Sequence, residues 1–223
     1  MESDDASKAL RRFRVALAGI CAYVILDAIV QILPPHYSPV SQAESDLAVG
    51  PYGIIMAVNF LNRGLLSAEF IAGFAGYARS VGEDVRRYRI GVILIGVWSI
   101  GSFLLAFFPT DVPPADVTWH GVLHLLLALA AFFGAGLGAF AVSLRIPGEG
   151  VMATLRRYAV PVSGFCLASF LAVVLAPGTA PRFNSQYGGL IERVFIGSVL
   201  AWMGGVSLIL MRRLSRPRKA REG

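Results

Sequence analysis

Six long apolar runs constrain this chain more than any other feature: residues 15–33, 52–77, 90–108, 119–142, 158–175 and 190–211. A bilayer core takes about 20 apolar residues per helix. Charged residues make up only 15% of the chain, against about 25% in a soluble domain. The fold class that follows is all-α, a polytopic membrane protein built as a bundle of six transmembrane helices.

The net charge of +6 is distributed in a way that sets a topology. Basic residues gather before the first run, after the second, after the fourth and after the sixth, seventeen of the twenty in all. The three remaining connections hold only Arg182. The positive-inside rule then places both termini in the cytoplasm. Residues 1–14 are expected to be a basic cytoplasmic tail, 15–211 the membrane domain, and 212–223 a second basic tail. This accounts for the charge without nucleic acid. The first run is too long for a signal-peptide core and no small-residue cleavage site follows it, so it is read as a retained span.

Each odd run ends in proline, as in "ILPPHYSP", "FFPTDVPP" and "VLAPGTAP". That hints at three similar hairpins, although proline is a common helix stop. In the first connection, Ser41 followed by Glu44 reads as a capping box, and Gly50-Pro51 closes the segment. A short helix there would turn Glu44 or Asp46 toward the mouth of the bundle. Gly96, Gly101, Gly134, Gly138, Gly164, Gly204 and Gly205 are expected where helices approach closely, within the chain or between copies of it. A homo-oligomer through such faces is one expected partner; membrane lipid is the other.

Ionisable side chains within a span cost roughly 2.5–3.5 kcal/mol each, so they need partners or a water-filled cavity. Here they are Asp27, Arg63, Glu69, His120, His124, Glu192 and Arg193, with Asn59 and Asn62 beside them. A rise of ~1.5 Å per residue puts Asp27, Asn59 and His124 at ~8–10 Å from the outer ends of their helices. Arg63 leans outward into that layer, because helix side chains tilt toward the N-terminus. Glu192 and Arg193 lie near the outer mouth, and only Glu69 falls in the inner half. A common depth predicts an outward-facing polar pocket. The competing reading is a set of interhelical ion pairs, Arg63 with Asp27 or Glu192, that close the bundle without a ligand.

The stretch "TWHGVLH" puts His120 and His124 on one helix face, with Asp116 one turn earlier as a plausible N-cap. Such a pair could ligate zinc. Gly121 stands where H-E-x-x-H has its general base, which excludes that metalloprotease arrangement. A third ligand would come from Asp111, Asp116, Asp27 or His36. No P-loop, G-x-S-x-G or cysteine cluster is present, and no lysine lies in a span to form a retinal Schiff base.

Residues 37–64, 108–124 and 189–194 together resemble the bacterial and archaeal membrane family called domain of unknown function 998, itself distantly similar to the Frag1/DRAM/Sfk1 membrane proteins. The specific elements are F-P-x-D, H-G-x-x-H and G-x-x-E-R, here Pro109, Asp111, His120, Gly121, His124, Glu192 and Arg193. The resemblance implies a six-span fold, a site at these positions and a prokaryotic plasma membrane; it implies no activity. Two functions stay open. One is a pocket of Asp27, Asn59, Arg63, Asp111, His120, His124, Glu192 and Arg193 that binds, moves or senses a lipid or small amphiphile. The other is a hydrolase acting on an outer-leaflet amide or ester, with zinc on His120, His124 and Asp111 and with Glu192 as general base.

Overall fold

The computed structural model describes residues 2–112 and 115–215; the basic segment from 216 onward, and Pro113 and Pro114, lie outside it. Six α-helices carry the described chain: α1 (Glu2–Gln31), α2 (Gly53–Ser80), α3 (Arg89–Leu105), α4 (Trp119–Arg145), α5 (Ala153–Thr179) and α6 (Pro181–Leu214). Each contains a stretch long and apolar enough to cross a membrane. The chain is a multi-pass helical membrane protein. Each helix packs against its neighbours in sequence, and α1 closes the ring against α6. The connections α1–α2, α3–α4 and α5–α6 lie at one end, called here the proline-rich end; the basic connections, the start of α1 and the end of α6 lie at the other.

The helix ends follow from local chemistry. At the C-terminus of α2, Glu83 N–H donates to the Ala78 carbonyl at 2.9 Å while Gly82 takes φ +73°. That is a left-handed cap of the kind glycine permits. The residues read as an N-terminal tail are helical from Glu2 onward and simply lengthen α1. The inner-half carboxylate Glu69 is met there by Arg12, at 3.0 and 3.1 Å. At the other end of the molecule, α5 and α6 are joined by Ala180 alone. Pro181 suits a first helical position, where its missing N–H costs nothing. The last helix therefore begins at 181 rather than 190, and brings Asn184, Ser185 and Gly188 over the bundle.

Close approach is concentrated between α3 and α4. A Cβ on Gly134 would strike the Leu94 carbonyl, and one on Gly138 would press on Ile95 at 2.9 Å. The Gly134–Gly138 step is thus used inside one chain. Gly96 and Gly164 make no such approach within the chain, since nothing lies within 4 Å of a Cβ built on either. Buried indoles join the layers: Trp98 Nε1 donates to Ser67 Oγ at 3.0 Å, and Trp202 Nε1 to Ser143 Oγ at 2.9 Å.

Candidate functional site

Span two carries its polar residues on the face that meets α1 and α3. Asn59 Nδ2 donates to the Tyr23 carbonyl at 3.2 Å and Asn62 Nδ2 to the Gly19 carbonyl at 2.9 Å, which fastens α2 to α1. Arg63, 1% exposed, lies between them. Its Nε donates to Ser102 Oγ at 3.1 Å, and one terminal nitrogen donates to Tyr23 Oη and to Glu44 Oε2 at 3.1–3.2 Å. Its guanidinium lies 4.7 Å from the centre of the Trp98 ring and 5.0 Å from that of Phe60.

Glu44 comes from the first connection, where a short 3-10 helix spans Glu44–Ala48. The short helix is present, but the capping box is not. Ala43 precedes it without a side-chain cap, and the Glu44 carboxylate is sent inward to Arg63 and the Tyr23 hydroxyl. The physical reason is the ion. A guanidinium away from water costs far more than a surface cap returns, so the nearest carboxylate is drawn to it. Arg63 therefore hydrogen-bonds to neither Asp27 nor Glu192. Asp27 accepts instead from Gln31, one turn along α1, and its carboxyl lies against that of Glu44.

Glu192 and Arg193 hold the same connection from α6. Glu192 Oε2 accepts the Glu44 N–H at 3.3 Å. One Arg193 terminal nitrogen donates to the Pro39 and Gln42 carbonyls at 2.9 and 3.0 Å, and the other meets the Tyr37 hydroxyl. Gly189 leaves room for that approach, since a Cβ there would collide with Gln42 and Pro39 backbone. Burial pushes the Tyr37 phenol up to about 12 despite the nearby guanidinium. G-x-x-E-R is thus a clamp on the first connection.

The H-G-x-x-H element also acts through backbone. Thr118, not Asp116, caps α4, its Oγ1 accepting the Gly121 N–H at 3.1 Å. Asp111 accepts both the N–H and the hydroxyl of Thr118 at 2.8 Å, and these two bonds hold its carboxyl below the ordinary range. A Cβ on Gly121 would fall inside that carboxylate. His120 stacks on Trp119, ring centroids 3.5 Å apart. His124 Nδ1 lies 2.6 Å from the Phe108 carbonyl. A carbonyl only accepts, so Nδ1 carries the proton and Nε2 is left as an acceptor. Among the described residues, no group of three His, Cys, Asp or Glu side chains is arranged to hold a metal ion.

A cavity of about 500 Å³ opens at the proline-rich end, between the first connection, α4, α5 and α6. Of the eight residues expected in a pocket, Arg63, His124 and Glu192 line it; Asp27, Asn59, Asp111, His120 and Arg193 do not. Asp46, expected only to face the mouth, is on its wall with Ser41 and Ser45. Glu44, Tyr23 and Ser102 complete the polar network behind it. The sequence carried two signals for Glu44: a short helix that turns it toward the mouth, and Arg63, a cation in a span that needs a carboxylate from somewhere. Leu125, Leu129 and Val174 form an apolar part of the lining. These three are 58%, 44% and 43% exposed, so the wall continues onto the lipid-facing surface.

Fold and site together define a six-span helical membrane protein with a mainly apolar cavity, carrying a few polar groups, at one end of the bundle. The family model described as "Protein of unknown function (DUF998)" matches residues 17–209, and the chain belongs to that family. No curated protein and no solved structure matches it.

Proposed function

We propose that this protein binds a lipid or lipid-like amphiphile in the cavity, with the head-group under the first connection and the tail along α4 and α5. One observation carries the reading. The cavity, about 500 Å³, sets a few polar groups, among them the buried Arg63 and His124, in a lining that includes exposed leucine and valine. Small-molecule sites commonly have this size, with a few polar groups set in apolar walls. An aliphatic wall that runs onto the lipid-facing surface suits an acyl chain entering sideways from the bilayer. The basic end lies in the cytoplasm by the positive-inside rule, so the cavity serves the outer leaflet, in a prokaryotic plasma membrane. From there the protein moves, presents or senses the bound molecule.

The test is native mass spectrometry of the protein released from nanodiscs, beside a variant with the cavity filled. Ala128 lines the cavity, and Ala128→Trp would occupy part of it. The wild type should retain a bound amphiphile that the variant lacks. Equal retention in both would overturn the proposal. Zinc chemistry on His120, His124 and Asp111 remains the other reading, and metal content decides it, as argued below.

A further inference from the structure

The charges around the cavity do not balance. Two carboxylates, Asp46 and Glu192, line it with one guanidinium, Arg63, which is already paired with Glu44; a second guanidinium, Arg193, lies outside the lining. Both guanidiniums are engaged inside the chain. Arg63 meets Glu44, Tyr23 and Ser102, and Arg193 meets Tyr37 and two carbonyls of the first connection. Arg193 is outside the lining, and the charge of Arg63 is already met by Glu44, which weakens both as sites for an anionic head-group.

Apart from Arg63 and the neutral side chains of Thr110, Asn184 and the serines, the polar side chains facing the cavity are acceptors. Glu192 spends one oxygen on the Glu44 N–H. Asp46 is on the wall, and burial raises its carboxyl above the ordinary value although Arg193 acts to lower it. His124 keeps only Nε2, a lone pair, for the cavity, since Nδ1 is committed to Phe108. Pro177 and Val173 both line the wall, four residues apart within α5. Proline has no N–H, so the Val173 carbonyl lacks its normal helical donor. Carboxylates, an imidazole lone pair and a released carbonyl together suit a group that donates several hydrogen bonds and carries positive charge.

We infer that the amphiphile bound here has a cationic amine head-group, with Glu192 and Asp46 as its counter-charges and His124 and the Val173 carbonyl as further acceptors. An alkylammonium has three N–H donors on one nitrogen and supplies part of the missing positive charge. The inference rests on the amphiphile reading above and narrows it to one class of head-group.

Three probes with one tail and different heads separate the possibilities: dodecylammonium, dodecanol and dodecyl phosphate, each added to delipidated protein in maltoside micelles. Occupancy is read by native mass spectrometry. Dodecylammonium should bind about tenfold more tightly than either of the others, a difference of about 1.4 kcal/mol. Glu192→Gln and Asp46→Asn should each erase most of that preference. The glutamine carbonyl still accepts the Glu44 N–H, and Asp46→Asn, which is outside that contact, provides the second measurement. Equal binding of all three probes, or preference for the phosphate, overturns the cationic head-group and leaves the amphiphile reading standing. Failure of all three to bind wild type, with Ala128→Trp changing nothing, overturns both.

Discussion

Arg63 on α2 and Glu44 on the first connection form an ion pair at 3.1 Å, with side chains 1% and 2% exposed. The pair couples the middle of the bundle to the segment that roofs the cavity. Removing one partner of such a pair strands the other charge, at a typical cost of about 3–5 kcal/mol. Arg63→Ala and Glu44→Ala should each lower stability by about that amount, measured by equilibrium unfolding in mixed micelles. The double variant Arg63→Met/Glu44→Gln, in which neither charge is left alone, should recover a substantial part of the loss. Additive losses in the double variant would mean that the two residues act independently.

The clamp from α6 predicts a local rather than a global effect. Arg193 ties Tyr37, Pro39 and Gln42 together. Arg193→Met should raise hydrogen exchange across residues 37–48 and leave α3 and α4 unchanged. Unaltered exchange in that segment would show that Glu44 alone is enough to hold it.

Asp111 provides a pH test with a defined sign. Its hydrogen bonds with Thr118 depress the folded-state value. A depressed carboxylate contributes stability above its unfolded value, about 3.9, and that stability is lost as pH falls through the lower folded value. The carboxyl carbon of Asp111 should therefore titrate below the ordinary aspartate range in the wild type. Thr118→Val removes the hydroxyl donor and should move it upward. Gly121→Ala, whose Cβ would displace the same carboxylate, should move it upward as well. An ordinary titration in wild type would mean that the latch is open in solution.

Metal content separates the two chemistries for "TWHGVLH". His120 is stacked on Trp119, and Asp111 is held by Thr118. Purified protein should therefore carry zinc well below one per chain, with no further drop in His124→Ala. One zinc per chain that is lost in both His120→Ala and His124→Ala would put the hydrolase first.

Orientation can be read from single cysteines in a Cys21→Ala/Cys166→Ala background. Gln186 is exposed at the proline-rich end and Glu149 at the basic end. A membrane-impermeant maleimide should label Gln186→Cys in intact cells and reach Glu149→Cys only after lysis. The reverse pattern would turn the cavity toward the cytoplasm.

Length and hydropathy alone determine the six helices, because a segment in hydrocarbon must satisfy its own backbone and helix is the local way to do so. Clustered arginines likewise foretell which helix ends share a side. The depth argument reached Arg63, His124 and Glu192, since depth along a helix is a local property of sequence. What it could not reach is azimuth, the side of each helix that faces a neighbour. Whether Arg63 would meet Asp27, Glu192 or Glu44 depends on how six helices pack and on where a loop folds back, contacts that Arg63 makes with α1, α3 and the first connection. The same holds for Asp111. It was one candidate for a third ligand beside the two histidines, yet a pair of donors on Thr118 takes up its carboxylate. Tertiary structure alone decided which polar groups were already satisfied and which were left facing the cavity. Satisfaction is a matter of ångströms between distant parts of the chain, and no local pattern encodes it.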